Sequence, residues 1–407
     1  MRIAVICQNA STGGWRVIKN LLIAMAKRAE LYVVIDSEHF LDDYLYDVMA
    51  ELKGNNIKLI DSKKYNKKIY INISFVNRWI NSVLKRVYSR RQRIVKEMIE
   101  KNRFDAILYP WPYDLPPKEV SSPQFFISHD LTALNHYGCT TGSTLYHKKF
   151  YDMLKMYVKT AYPVCISRFG MNDLRMKYKN IKESACVYWS SFCSNKNLNQ
   201  ENSKKIISKF NINTDYIIYP TNLCPHKNVG AFIYAGKILK ERGWNIKCIL
   251  IGYETEQLCG KFSEQGVAAD LHGEDDWDVK GFGLVSDIEC ESLIQNARCL
   301  VSTSCAEGAC GPGADAWTLG TPTVLSDIEV FHEYAAFHGV HSEFANPRNA
   351  FEFADKIEKI LSDREYYHAI SDANRERMKA YTWDDVAEKY IQFFQRTIQD
   401  NKKGRFL

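Results

Sequence analysis

The sequence predicts an α/β protein built from two doubly wound parallel sheets, one in each half of the chain. Apolar runs of four or five residues recur along the chain, which is typical of strands that are buried on both faces. Segments with apolar residues at helical spacing separate these runs, so right-handed β-α-β crossovers would place helices on both faces of each sheet. A polar, Asn- and Lys-rich stretch over 195–215 interrupts the pattern and predicts a linker with a short helix.

The first half begins with a strand, a glycine loop and a helix. Ile3–Ile6 is the first apolar run, Ser11–Gly14 is the loop, and apolar residues from Val17 to Met25 recur at helical spacing. The further strands predicted in this half are Leu31–Ile35, Ala106–Tyr109, Gln124–Ile127 and Pro163–Ile166. In open α/β sheets ligands bind beyond the carboxyl ends of the strands, and His129 follows one such end.

The second half repeats the alternation of strands and helices. Its predicted strands are Tyr216–Tyr219, Lys247–Ile251, Gly281–Val285, Cys299–Ser302 and Thr323–Leu325. Its predicted helices lie near 228–242, 287–297, 312–319 and 349–361, followed by a last helix over 383–399 that begins after the possible N-cap Thr382. The predicted domains are 1–195, joined by the C-terminal helix 384–407, and 196–383, with a ligand cleft expected between them.

The charge of the chain is concentrated in one segment. Composition (46% hydrophobic, 25% charged) excludes a disordered chain, and the net charge is +6. Residues 63–103 hold thirteen Lys or Arg against two Glu, so the remainder sums to −5. This pattern favours a local anionic partner over nucleic acid, and an amphipathic basic helix there suits an anionic membrane surface. An ordinary helix packed on the sheet with a solvated basic face fits the pattern equally well.

The cysteines and the apolar runs bear on location. None of the twelve cysteines forms a C-x-x-C pair or has zinc-site spacing, which predicts reduced and mostly buried thiols. No run of 18 apolar residues exists, and the N-terminus has no stretch resembling a signal peptide. The expectation is a cytoplasmic protein, with peripheral attachment to the inner face of the membrane through 63–103 as an open alternative.

Two motifs of the second half carry polar chemistry. Glu307 precedes a Gly-rich turn, Pro312 suits a first helical position, and Asp315 follows eight positions after Glu307. The unpaired N–H groups of such a helix start bind phosphates or hydroxyls, although a capped helix with an incidental Glu explains the pattern as well. Lys227 lies just before a predicted helix, where it can neutralise a diphosphate or be an ordinary surface lysine.

Three further motifs are less specific. Gly13 and Gly14 permit close backbone approach to a ligand, but they do not form G-x-G-x-x-G, and a tight turn explains them too. His129 can contact a sugar or relay a proton, although a lone His is more often structural. Asp276 and Asp278 form a D-x-D that carboxylate chemistry would allow to bind Mg²⁺, but a solvated acidic loop is favoured.

In combination these segments resemble a glycosyltransferase of the GT-B fold, closest to the retaining family 4, over nearly the whole chain. The opening 2–22 is similar to the family's N-terminal glycine loop, and 126–131 to its His-bearing strand end. The P-H-K-N sequence within 219–228 resembles its diphosphate-binding region. The stretch 283–297 resembles the segment near the nucleobase, and 307–315 the E-x7-E motif.

The resemblance implies a role for each matching residue. Glu307 would contact the donor sugar and His129 the sugar or the reacting centre, as the catalytic pair. The residues implied to bind the donor are Gly13, Gly14, Asn222, Lys227, Val285, Gly308, Ala309, Cys310, Gly311 and Asp315. The sequence departs from the family pattern in three ways: Asp315 stands for Glu, Ala309-Cys310 stands for Phe-Gly, and the Arg often found near the diphosphate Lys is absent, with Asn222 nearby.

The function that the resemblance implies is transfer of a sugar, with retention, from a nucleotide diphosphate sugar to an acceptor hydroxyl. Cell-surface polysaccharide or glycolipid assembly is the expected setting, with a glycan or lipid-linked acceptor and no metal or other cofactor. Retention in that family is usually explained by front-side attack, with the leaving phosphate as base. Two alternatives stay open at this point: a non-catalytic nucleotide-sugar or glycan-binding subunit, and a GT-B-type nucleotide-sugar epimerase.

Overall fold

The chain forms two compact units in a computed structural model. The structure describes residues 1–7, 12–35, 50–55, 57–61, 95–112, 116–117, 119–136, 144–193, 200–259 and 279–404. The first unit comprises Met1–His129, Ser143–Tyr188 and Trp383–Leu407, and the second comprises Asp130–Gly142 and Trp189–Thr382. Each unit has its own parallel sheet.

The described part of the first unit contains a seven-stranded sheet with the order β3-β2-β1-β4-β5-β6-β7. Its strands are β1 (Arg2–Ile6), β2 (Glu30–Ile35), β3 (Lys58–Asp61), β4 (Ala106–Tyr109), β5 (Gln124–Ser128), β6 (Tyr162–Cys165) and β7 (Ala185–Cys186). Its helices include Thr12–Ala26, Thr144–Thr160, Arg168–Lys177 and Trp383–Lys402. The central strands are buried from end to end, so the apolar runs of the sequence are explained by helices on both faces.

The C-terminal helix Trp383–Lys402 belongs to the first unit. The Phe394 ring stacks on Phe125 of β5 with the ring centroids 4.0 Å apart. At its N-terminal end Asp384 accepts a hydrogen bond from Lys27 at 2.8 Å, and at the other end Tyr162 Oη donates to Asn401 Oδ1 at 3.0 Å. Buried aromatic contacts together with polar contacts at both ends therefore fix this helix on the first sheet.

The described part of the second unit contains a six-stranded sheet with the order β10-β9-β8-β11-β12-β13. Its strands are β8 (Tyr216–Pro220), β9 (Lys247–Ile251), β10 (Val279–Gly281), β11 (Cys299–Ser302), β12 (Thr323–Ser326) and β13 (Glu343–Ala345). Its helices are Thr132–Asn135, Gln200–Ser208, Val229–Glu241, Asp287–Gln295, Gly311–Leu319, Glu329–His338, Ala350–Ser362 and Arg364–Met378. The α/β class with two doubly wound parallel sheets is thus confirmed.

One predicted strand is wrong in position. The strand expected over Gly281–Val285 is instead β10, Val279–Gly281, which ends where the prediction begins. Gly283 has a φ of +68°, a left-handed conformation that cannot continue a strand, so the chain turns away from the sheet there. The strands β3, β7 and β13 were not predicted from the sequence, because none of them has more than two consecutive apolar residues.

Two sequence predictions fall largely outside the described residues. Most of the basic segment 63–103 lies there, with only its end described as helical over 95–102, and so does the D-x-D of Asp276 and Asp278. Within the described ranges, none of the helices combines the length and the apolar character that crossing a bilayer requires.

A buried carboxylate on β13 contributes to the stability of the second unit. Glu343 Oε2 accepts a hydrogen bond from Lys356 at 3.0 Å and Oε1 accepts one from Lys359 at 2.8 Å, with Tyr367 as a third donor. Burial acts to raise the pKa of Glu343, but these donors outweigh it and hold that pKa at about 2. In the unfolded chain the pKa of Glu343 is about 4.3. As pH falls, the Glu343 carboxylate therefore takes up a proton in the unfolded chain before it does so in the folded one.

We expect Glu343→Gln to lower the free energy of unfolding by about 1–3 kcal/mol at pH 7. The contribution of the carboxylate is complete above about pH 4.5 and is lost towards pH 2, so the wild-type and variant curves should converge there. Urea unfolding at several pH values measures this. Glu376→Gln, which removes an exposed pair with Lys379, is the control and should change stability by less than about 0.5 kcal/mol. Parallel curves for Glu343→Gln and wild type would contradict the role of this carboxylate.

Candidate functional site

The polar motifs of the second half meet at the centre of its sheet. Strand β8 lies between β9 and β11, so the direction of winding reverses between β8 and β11. In open parallel sheets the loops that follow two such strands diverge and leave a place for a ligand at their carboxyl ends. Lys227 is in the loop after β8 and Glu307 is in the loop after β11.

Hydrogen bonds tie these two loops together. Tyr219, at the end of β8, donates from Oη to the Lys227 carbonyl at 2.9 Å. Thr303, just after β11, donates from Oγ1 to the Asn228 carbonyl at 2.8 Å, and Asn228 Nδ2 donates to the Thr303 carbonyl at 3.2 Å. Asn228 has a φ of +51°, a conformation that Asn tolerates better than most residues, and the helix Val229–Glu241 begins there. The backbone around Lys227 is therefore fixed by side chains.

Lys227 and Glu307 form an ion pair. The ammonium Nζ lies 2.6 Å from Glu307 Oε1, and Ser304 Oγ donates to the same oxygen at 2.6 Å. Ser304 Oγ also lies 2.7 Å from Tyr219 Oη. The side chains of Lys227 and Glu307 are 20% and 18% exposed, so the pair is sheltered but can be reached from solvent.

Both members of the pair are held in their charged forms. Burial acts to raise the pKa of Glu307, but the Lys227 ammonium, His226 and the Ser304 hydroxyl outweigh it, and the net pKa is lowered. Burial acts to lower the pKa of Lys227, but the Glu307 carboxylate and weaker contributions from Tyr219 outweigh it, and the net pKa is raised. The Lys227 side chain, in the loop after β8, is therefore positively charged throughout the neutral pH range.

The Gly-rich turn after Glu307 leads into the helix Gly311–Leu319. Gly308 is buried, Ala309 is half-buried, and the Cys310 thiol is buried at the N-cap, which raises its pKa. A Cβ on Gly313 would lie 2.4 Å from Cys310 Sγ, so that position needs glycine. This helix start brings backbone N–H groups to the same sheet edge as Lys227, an arrangement suited to an anion.

Asp315 binds Ser191 and Phe192, a contact that the sequence did not predict. It is 2% exposed, and its Oδ1 accepts hydrogen bonds from Ser191 Oγ and from the Phe192 backbone N–H, both at 2.8 Å. The Phe192 ring lies 3.2 Å from where a Cβ on Gly311 would be. Ser191 and Phe192 stand far from Asp315 in sequence, and no motif marks them. A ribose contact by Asp315 stays a prediction. In the structure its Oδ1 is hydrogen-bonded to Ser191 and to the Phe192 N–H.

Asn222 and Val285 lie in neighbouring loops. Asn222 Oδ1 accepts a hydrogen bond from the Cys224 backbone N–H at 3.0 Å and so shapes the loop before Lys227. Val285 is half-buried in the turn before the helix Asp287–Gln295. This turn is joined to the loop after β9, because the Gly252 N–H donates to the Gly283 carbonyl at 2.7 Å.

The predicted residues of the first unit lie at the ends of its strands. His129 follows β5, and its Nε2 is 2.6 Å from the Pro110 carbonyl oxygen. A carbonyl only accepts, so Nε2 carries the proton in this contact. The imidazole also lies against the Trp111 ring, with centroids 3.8 Å apart. Gly13 and Gly14 form part of the first turn of the helix Thr12–Ala26, which follows β1.

Comparison with known families explains the arrangement in the second unit. Residues 200–377 match the model of a family described as "Glycosyl transferases group 1", and both Lys227 and Glu307 lie within that match. The match covers most of the second unit and none of the first. Among curated proteins, none matches the chain by sequence.

Solved structures extend the likeness in fold to nearly the whole chain. Anabaena HepE in complex with UDP and glucose is 15% identical, with a TM-score of 0.69 over 97% of this chain and 100% of that chain. Sucrose-phosphate synthase from Thermosynechococcus elongatus is 13% identical, with a TM-score of 0.69 over 98% and 99%. WaaG, a glycosyltransferase involved in lipopolysaccharide biosynthesis, is 13% identical, with a TM-score of 0.66 over 96% and 99%. The chain has the GT-B fold, as the resemblance implied.

Proposed function

We propose that this chain is a retaining glycosyltransferase, close to family 4, that transfers a sugar from a nucleotide diphosphate sugar to an acceptor hydroxyl. The observation that carries the proposal is the Lys227–Glu307 pair at the switch point of a group 1 glycosyltransferase domain. The pair joins a positive charge for a diphosphate to a carboxylate that can accept hydrogen bonds from a sugar.

The chemistry follows from the charge that develops during transfer. When the bond from the sugar to the diphosphate breaks, the leaving oxygen gains negative charge. The Lys227 ammonium is already oriented by Glu307, and the N–H groups at the start of the helix Gly311–Leu319 add partial positive charge. Because these groups supply the compensating charge, the proposed reaction needs no metal. The leaving phosphate is the proposed base for the acceptor hydroxyl.

The proposed setting is cell-surface polysaccharide or glycolipid assembly on the cytoplasmic side of a membrane. HepE was solved with UDP and glucose and with UDP-glucose, so a UDP-sugar is the first donor to test. WaaG is involved in lipopolysaccharide biosynthesis, which supports a glycan or lipid-linked acceptor. His129, Gly13 and Gly14 are proposed to act from the first unit, with His129 contacting the sugar or the reacting centre.

The test is a panel of UDP-, GDP-, dTDP- and ADP-sugars with wild type and Glu307→Ala. Binding is scored by thermal shift and slow hydrolysis by nucleotide release, and the anomeric configuration of the released sugar is read by NMR. We expect one donor to stabilise both proteins and to be hydrolysed with retention by wild type alone. Binding without turnover in the presence of acceptor glycans would indicate a binding subunit, and no binding of any donor would contradict the proposal.

A further inference from the structure

Formal charge is divided unequally between the two units. The first unit sums to +15 and the second to −9, although the whole chain is only +6. Part of the excess lies in the described region that follows β5. Residues 144–182 hold nine Lys or Arg and two Asp, a net charge of +7. The first unit therefore attracts anions strongly, and 144–182 is a different segment of the sequence from 63–103.

The two helices of this region form one continuous surface. Thr144–Thr160 connects β5 to β6 and Arg168–Lys177 connects β6 to β7, and these strands are consecutive neighbours in the sheet. Successive right-handed crossovers in one direction place both helices on the same face of the sheet. Tyr151 and Tyr178 join them, because their rings stack with centroids 5.2 Å apart and Tyr178 Oη donates to the Tyr151 carbonyl at 3.2 Å.

The solvent side of both helices is basic. On the first helix Lys148, Lys155 and Lys159 are exposed at positions i, i+7 and i+11, which form one stripe. On the second helix Arg168 and Arg175 are exposed two turns apart. We call these five side chains the basic face.

Large apolar side chains accompany the basic face. Met176, next to Arg175, is 80% exposed, and Tyr151, which lies between Lys148 and Lys155 on the first helix, is 38% exposed. An exposed methionine and tyrosine beside long basic side chains suit a lipid interface, where the apolar groups enter the boundary and the charges reach the head groups. A soluble polyanion would contact the basic side chains and would have no use for the exposed apolar ones.

We propose that the basic face docks on an anionic phospholipid bilayer. Electrostatic attraction supplies the long-range part of binding, and Met176 and Tyr151 supply contacts that a soluble anion cannot use. The second unit, with its net charge of −9, is repelled by the same surface, so docking takes place through the first unit. The basic face belongs to the first unit and the proposed donor residues Lys227 and Glu307 to the second, so this proposal does not depend on that one.

The experiment is co-sedimentation of the full chain with vesicles of phosphatidylcholine, alone or containing phosphatidylglycerol, at low and moderate salt. The test variant is Lys148→Glu/Lys155→Glu/Lys159→Glu. The matched control is Lys204→Glu/Lys205→Glu/Lys240→Glu, which changes charge equally at exposed positions of the second unit. We expect the test variant to lower the bound fraction of protein on anionic vesicles about 10-fold and the control to change it less than about 2-fold. Circular dichroism and thermal unfolding verify that both variants are folded.

Met176→Gln separates a bilayer from a soluble polyanion. We expect it to weaken vesicle binding by about 2-fold or more and to leave binding to dextran sulfate unchanged. Three results would each overturn the proposal. The two triple variants could lose vesicle binding equally, wild type could bind neutral and anionic vesicles equally, or Met176→Gln could bind anionic vesicles as well as wild type does. Loss of binding only when 63–103 is altered would assign the membrane contact to that segment instead.

Discussion

Lys227→Ala is expected to lower kcat/KM for the donor by about 10²–10³-fold, the usual cost of removing one group that stabilises charge in a transition state. The change removes the positive charge nearest the proposed diphosphate and leaves the Glu307 carboxylate, now held only by Ser304, beside an anionic ligand. Both effects act against the developing charge. The measurement is initial rate against donor concentration, with nucleotide release as the readout.

Changing Glu307, the partner of Lys227 in this ion pair, should raise the affinity for the free nucleoside diphosphate. Glu307→Gln removes a negative charge that competes with the diphosphate for the Lys227 ammonium, while the amide can still accept from Ser304. We expect the affinity for the free nucleoside diphosphate to rise by about 3–10-fold and sugar turnover to fall by at least about 10²-fold. Calorimetric titration with the diphosphate measures the first effect.

Lys240→Ala is the matched control, because it removes an exposed lysine at the far end of the helix Val229–Glu241, which begins after Lys227. It should leave both rate and affinity unchanged. If Lys227→Ala kept more than about a third of wild-type kcat/KM, the ammonium would not stabilise the leaving group. If Glu307→Gln weakened diphosphate binding, the carboxylate would support the ligand rather than compete with it.

The sequence predicts the core of both sheets well because the central strands are buried on both faces. Ala106–Tyr109, Lys247–Ile251 and Cys299–Ser302 match the structure at both ends, since an uninterrupted apolar run leaves one interpretation for a segment of that length. Prediction fails where backbone geometry rather than side-chain polarity decides. The run Gly281–Val285 looks like a strand, yet the positive φ of Gly283 ends β10 before it.

The candidate site is predicted in part for the same reason. Lys227 and Glu307 each follow a strand, and parallel strands bring their carboxyl ends to one edge, so their proximity follows from the topology. Their direct ion pair does not follow, because it depends on the tie between Tyr219, Lys227 and Ser304. Contacts that bridge distant parts of the chain, such as Asp315 with Ser191, have no local sequence signal.

Gly252 is packed tightly against backbone at this edge, and Gly252→Ala is expected to lower the free energy of unfolding of the second unit by about 2–4 kcal/mol. Its φ is +126°, and a Cβ there would lie 1.9 Å from the Thr221 carbonyl oxygen. That oxygen belongs to the backbone, so no side-chain rotation relieves the clash. Either the loop after β8 or the loop after β9 must move, and the first of these contains Asn222 and leads to Lys227.

Two other glycines separate the two causes of the stability loss expected for Gly252→Ala, which are backbone strain and the steric clash of the Cβ. Gly243 has a φ of +89° with no atom near a Cβ, so Gly243→Ala carries backbone strain alone and should cost about 1 kcal/mol. Gly230 is helical with open space around it, so Gly230→Ala should leave stability unchanged or raise it by up to about 1 kcal/mol. Urea unfolding of the three variants gives the order, and donor titration under folding conditions shows whether Gly252→Ala also weakens binding. If Gly252→Ala cost no more than Gly243→Ala, the loops would be free to separate. The fixed position of Lys227 would then have to come from Tyr219 and Thr303 alone.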